Sequence, residues 1–132
     1  MDAPTQALVL FAHGARDARW REPFDRLQQK LVAALPGCAV RLAFLELMSP
    51  GLPDTLAGLA ADGVAEITVV PVFFGQGGHI RRDLPALIEQ CRHQYPSLRI
   101  RCAPAVGESE GVLDAIAAYC AASLKATSLG QP

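Results

Sequence analysis

Apolar positions along the chain fall alternately into short continuous runs and stripes at helical spacing. Residues 7–12 (ALVLFA) form an apolar run closed by His13-Gly14. Its length and its glycine stop predict a strand buried on both faces. From Glu22 onward the pattern changes. Phe24, Leu27, Leu31 and Leu35 recur every three or four residues among polar ones, Pro23 suits a first helical turn, and Pro36-Gly37 ends the helix. Residues 38–45 (CAVRLAFL) predict a second strand ending at Glu46, and Leu52, Leu56 and Leu59 mark a shorter helix stopped by Asp62-Gly63. Residues 65–74 (AEITVVPVFF), rich in β-branched and aromatic side chains, predict the strongest strand. The loop Gly75-Gln76-Gly77-Gly78-His79 follows it. Leu84, Leu87, Ile88 and Cys91 then stripe a third helix, residues 98–102 form a weaker strand, and Val112, Leu113, Ile116, Ala117 and Cys120 mark a last helix.

Strand followed by helix, four times over, requires crossover connections. The expected fold is therefore α/β: a four-stranded parallel sheet with helices on both faces. At 132 residues the chain has room for one such domain, read as residues 1–126, with a frayed tail over 127–132.

Composition narrows the function classes. Apolar residues make up 51% of the chain and charged residues 19%, which excludes a disordered chain. Twelve Lys and Arg against thirteen Asp and Glu give a net charge of −1, whereas a phosphate-backbone binder carries a positive excess, so nucleic acid is not an expected partner. Cys38, Cys91, Cys102 and Cys120 are scattered without a C-x-x-C pair and read as reduced thiols rather than a disulfide framework or zinc knuckle. No apolar run is long enough to span a bilayer, and Met1-Asp2-Ala3-Pro4 lacks the basic start of a signal peptide. The expected setting is the cytoplasm.

In open parallel sheets ligands bind beyond the carboxyl ends of the strands. His13 ends the first strand, Glu46 ends the second, and His79 lies in the loop after the third, successive members standing 33 positions apart. All three side chains are thus expected at one edge of the sheet. Two imidazoles and a carboxylate suit a borderline divalent metal such as cobalt, nickel, iron or zinc. Taken singly, each has a plainer reading as a solvated or hydrogen-bonded loop residue. Gly75, Gly77 and Gly78 permit close backbone approach to a large ligand. The same loop, preceding a helix, also reads as an anion cradle, although it matches neither G-x-G-x-x-G nor the P-loop. Arg81 and Arg82 read either as a solvated helix face or as carboxylate or phosphate partners at the site's mouth. Asp17, between Arg16 and Arg19, reads as a cap for the first helical region, and His93 as a favourable charge late in a helix.

These segments resemble a known family. His13-Gly14-Ala15-Arg16-Asp17 after an apolar strand is similar to the H-G-[SA]-R-[DE] opening of the short, cobalamin-pathway (CbiX-like) sirohydrochlorin cobaltochelatases. Phe44-Leu45-Glu46 with Ser49-Pro50 resembles the family's second segment. Residues 70–74 together with Gly77-Gly78-His79 through Asp83-Leu84-Pro85 resemble its third and most specific one, G-G-H-x-x-x-D-[IL]-P. Gln76 departs from the apolar or small residue of many relatives.

The resemblance implies a chelatase-like variant of the flavodoxin-like fold. It implies ATP-independent insertion of a divalent metal, cobalt first with nickel or iron as alternatives, into sirohydrochlorin, with no organic cofactor. His13 and His79 match the family's metal-binding histidines and Glu46 its acidic partner, which ligates the metal, accepts a pyrrole proton, or does both. Gly75, Gly77, Gly78, Arg81 and Arg82 would meet the tetrapyrrole and its peripheral carboxylates. Larger relatives carry two such halves around a cleft, so a single half implies a homodimer. Two rivals stand beside this reading. One is a non-catalytic carrier of metal or tetrapyrrole. The other is a histidine phosphatase or phosphomutase suggested by Ala12-His13-Gly14, which lacks the arginine that such chemistry places before the histidine.

Overall fold

A computed structural model describes residues 4–75 and 77–128, with residues 78, 79, 81 and 126–128 described by their backbone alone. The strands are β1 (Gln6–Ala12), β2 (Cys38–Phe44), β3 (Glu66–Pro71) and β4 (Arg99–Cys102). The helices are α1 (Glu22–Ala34), α2 (Leu52–Ala61), α3 (Gly78–Gln94) and α4 (Glu110–Ser128). Short 3-10 turns at Ala18–Arg21 and Val106–Glu108 precede α1 and α4.

All strand pairs are parallel, in the order β2-β1-β3-β4. β1 lies in the interior, with Ala7 opposite both Ala39 and Ile67. This explains its unbroken apolar run, because period-2 alternation sends its residues to two different cores. Ala7, Val9 and Phe11 join Leu52, Leu56 and Leu59 of α2 and Leu84, Ile88 and Cys91 of α3 on one face. Leu10 and Ala12 join Val40, Leu42 and Phe44 on the other, where Phe24, Leu27 and Leu31 of α1 cover them. Trp20, from the turn before α1, packs on Phe24 with ring centroids 4.5 Å apart. Asp17 caps that turn as expected, its carboxylate accepting from the Arg19 amide at 2.9 Å.

Three details depart from the sequence reading. β3 stops at Pro71 rather than at Phe74. The Val72 amide still donates to the Phe11 carbonyl at 2.8 Å, so the nitrogen of Pro71 faces the β4 side, where pairing has already ended at Val69. A proline is tolerated there because no neighbouring strand needs its missing N–H. Second, α3 begins at Gly78, so the backbone of Gly78 and His79 belongs to the first helical turn and not to the loop. Third, α4 continues through Ser128, two residues into the segment read as tail, and residues 129–132 lie outside the described residues. No helix among the described residues is long and apolar enough to cross a membrane.

Candidate functional site

The pairing of β1 with β2 does not stop where the strands do. Leu45 donates to the Ala12 carbonyl at 2.9 Å and Glu46 to the His13 carbonyl at 3.1 Å, extending the ladder past both carboxyl ends. The two segments stay close because residue 14 is glycine. Gly14 is buried with φ +96°, and a Cβ built on it would collide with the Glu46 carbonyl oxygen. Directly after Glu46 the chain turns through Leu47, which holds φ +66°, an uncommon conformation for a branched residue and one that clusters at functional sites.

The result is a side-chain pair. His13 Nε2 lies 3.1 Å from Glu46 Oε1, and both side chains are about half exposed. With the proton on Nε2 the imidazole donates to the carboxylate. The same separation suits two ligands of one cation, since bonds of about 2.0–2.2 Å at tetrahedral to octahedral angles set donor atoms roughly 3.0–3.5 Å apart. The His13 ring also meets Phe73 edge-on, centroids 6.2 Å apart, and Phe73 in turn packs on Phe11 at 5.8 Å. An apolar wall therefore backs the imidazole on its inner side.

Of the predicted trio, the structure brings together His13 and Glu46. The side chain of His79 lies outside the described residues, as does that of Arg81; the helical backbone of His79 starts α3 just beyond β3. Among the described residues no group of three His, Cys, Asp or Glu side chains is close enough to hold a metal ion. Gly75 and Gly77 are exposed, and a Cβ on either would meet nothing within 4 Å. Gly77 forms the N-cap of α3 with no side-chain cap bond, leaving the first-turn N–H groups without that partner. Arg82 is exposed on the same helix. Sequence reasoning passed over Leu47 and Phe74, which follow Glu46 and β3 and are 57% and 62% exposed. Large apolar side chains held in water beside a polar pair suit an apolar ligand face. Leu47 directly follows Glu46 and Phe74 directly precedes the Gly75 loop, so only their places beside those segments could have marked them.

Comparison with known proteins adds three findings. A protein-family model described as CbiX matches residues 7–122. The chain is similar to the sirohydrochlorin cobaltochelatase of Methanococcus aeolicus, 31% identical over 83 residues, 63% of this chain and 58% of that protein. It is also similar to the sirohydrochlorin ferrochelatase of Bacillus subtilis, 29% identical over 118 residues, 84% of this chain. That match spans only 42% of the Bacillus protein, so this chain corresponds to about half of it. Among solved structures, a protein from Marinobacter aquaeolei VT8 described as a cobalamin (vitamin B12) biosynthesis CbiX protein superposes with a TM-score of 0.81 at 32% identity. The superposition covers 91% of this chain and 98% of that one.

Proposed function

This chain belongs to the CbiX family, and from that premise we propose that it inserts a divalent metal, cobalt first, into sirohydrochlorin without ATP. The observation that carries the reading is the His13–Glu46 pair, two metal-type donors 3.1 Å apart at the carboxyl edge of a parallel sheet. It is supported by relatives named as cobalto- and ferrochelatases of the same tetrapyrrole.

In this mechanism His13 and His79 hold the incoming ion through neutral ring nitrogens while Glu46 contributes an oxygen. The metal is substrate, and it leaves inside the product. As it enters the macrocycle two pyrrole N–H protons must depart: Glu46, whose carboxylate lies 3.1 Å from the His13 ring, would accept one as the ion leaves it, and the other would pass to solvent water. Leu47 and Phe74 would lie against the macrocycle. Arg81, Arg82 and the open N-terminus of α3 would hold peripheral carboxylates, with Gly75, Gly77 and Gly78 keeping the approach clear. A second copy of the chain would supply the other wall of the cleft, giving a homodimer. The four free thiols suit a reducing compartment, and we place the enzyme in the cytoplasm.

The test mixes purified protein, sirohydrochlorin and cobalt(II) under anaerobic conditions and follows the tetrapyrrole absorbance. Many turnovers per protein, lost in His13→Ala and in His79→Ala, are the expected result. One product per protein copy would instead make it a carrier, and equal rates for the wild type and the double variant would overturn the site.

A further inference from the structure

Glu46 and Leu47 are neighbours in the chain, and both are exposed. Had β2 run on as a strand, their side chains would emerge on opposite faces. A three-residue turn prevents this. The Met48 amide donates to the Glu46 carbonyl at 2.8 Å around Leu47, which holds φ +66°, the strained form of such a turn. Both ends of the turn are fixed. On the near side the Glu46 amide donates to the His13 carbonyl at 3.1 Å, and the Glu46 carbonyl packs on Gly14. On the far side Met48 packs, partly buried, with Phe44 and Leu42, and the Phe44 amide donates to the Pro50 carbonyl at 2.9 Å.

Leucine is an unfavourable residue for this backbone. Glycine or asparagine holds a positive φ with less strain. Burial of the side chain could compensate, but Leu47 is 57% exposed, so the strain serves no core. Strain without packing points to a use for the side chain itself. Phe74, 62% exposed beyond β3, is the counterpart. Its backbone is held by Gly107, which donates to the Phe73 carbonyl at 3.0 Å and on which a Cβ would collide with the Phe74 carbonyl. Because β1 lies between β2 and β3, Leu47 and Phe74 follow strands about 10 Å apart that flank the one leading to His13.

We infer that the turn assigns its two residues to two substrates. Glu46 serves the metal, and Leu47 is the specificity-determining residue for the macrocycle. It is a rigid apolar rest that, with Phe74, holds the flat ring across His13. The peripheral carboxylates are thereby turned outward, since an apolar rest rejects a charged ligand face. The contact is equal before and during metal transfer, so it acts on binding and not on rate. The inference rests on the chelatase reading above and names the residue that selects its organic substrate.

The test compares wild type, Leu47→Asn and Leu47→Met. Affinity for metal-free sirohydrochlorin is read from its fluorescence, affinity for cobalt(II) and Tm from calorimetry, and KM and kcat from insertion. Asparagine suits the turn, so Leu47→Asn should raise Tm by about 2–4 °C and leave cobalt(II) affinity unchanged. It should weaken sirohydrochlorin binding about 10-fold, the scale of half a leucine side chain left in water, raising KM with kcat unchanged. Leu47→Met, apolar and as ill suited to the turn as leucine, should match wild type in every reading. Unchanged sirohydrochlorin affinity in Leu47→Asn overturns the inference and leaves the chelatase reading standing. So does a joint loss of Tm, cobalt(II) affinity and sirohydrochlorin affinity, which would make Leu47 a structural residue. Weakened sirohydrochlorin binding in a protein that never turns over supports the inference and overturns the chelatase reading. A wild type that binds no sirohydrochlorin overturns both.

Discussion

Gly14 gives the sharpest test of how the site is built. Replacing it with alanine introduces two separate penalties. An L-residue at positive φ costs about 1–2 kcal/mol, and forcing a methyl into packed backbone adds roughly 1–3 kcal/mol. Gly63 supplies the control: it holds φ +86°, yet a Cβ there meets nothing within 4 Å. For a domain of 132 residues the entropy of unfolding at the midpoint is about 0.28 kcal/mol per degree. Gly63→Ala should therefore lower Tm by about 4–7 °C and Gly14→Ala by about 7–18 °C. The two variants should also differ in function. In Gly14→Ala the β1 and β2 extensions must part to admit the methyl, moving His13 away from Glu46, whereas Gly63 lies at the far end of α2 from this pair. Scanning calorimetry with titration of cobalt(II) into each protein reads both effects. Equal Tm losses, with metal binding unchanged in Gly14→Ala, would refute the claim that contact of the Gly14 and Glu46 backbones sets the donor pair.

Other outcomes follow from the same geometry. His13→Ala and Glu46→Gln should each reduce cobalt insertion at least 10- to 100-fold, and the double variant should lose far less than the product of the two, as expected for groups acting on one ion; multiplicative losses in steady-state rates would separate their roles. Burial pushes the Cys91 thiol above its ordinary value of 9.0. An acid kept neutral in the fold contributes stability that is whole below that pH and is lost as pH rises through the folded value, so Tm should fall more steeply above pH 9 in the wild type than in Cys91→Ala. Arg92 donates two hydrogen bonds to the Ile100 carbonyl, at 3.0 and 2.7 Å, tying α3 to β4. Arg92→Met should cost about 1.5 kcal/mol in denaturant unfolding, the low end for charged donors because the side chain is partly exposed; no change in midpoint would show that water replaces both bonds.

What could be read from the residues, and what could not, divides along physical lines. β1, β2 and β3 were legible because each is a concentrated apolar or β-branched block, whereas β4, Arg-Ile-Arg-Cys, carried only a weak signal between two helices; β1 and β2 begin and end within a residue of expectation. The end of β3 was not legible: whether Pro71 sits inside a ladder depends on how far β4 reaches, which only the register settles. The helical start of α3 at Gly78 was hidden by glycine-rich composition, which reads as loop. Leu47 and Phe74 were missed because an exposed apolar side chain carries no periodic signature. The exposure of α4 from Asp114 to Lys125 was invisible for the opposite reason, since its apolar sequence says buried and only the placement of the chain says otherwise.

The strand order explains why the chemistry gathers where it does. With β1 between β2 and β3, the ends of the first three strands stand side by side at about 4.8 Å intervals. Residues 13, 46 and the start of α3 thus follow three neighbouring strand ends, although His13 and Glu46 stand 33 positions apart along the chain. A side-chain pair across adjacent parallel strands needs no special loop. It needs only that the ladder continue one residue beyond each strand, which the Glu46 amide and His13 carbonyl provide, and that no side chain intervene, which Gly14 ensures. An insertion of one residue between Ala12 and His13 would turn the imidazole to the other face and abolish the pair while leaving both cores intact, since parity along a strand decides the side on which a residue emerges.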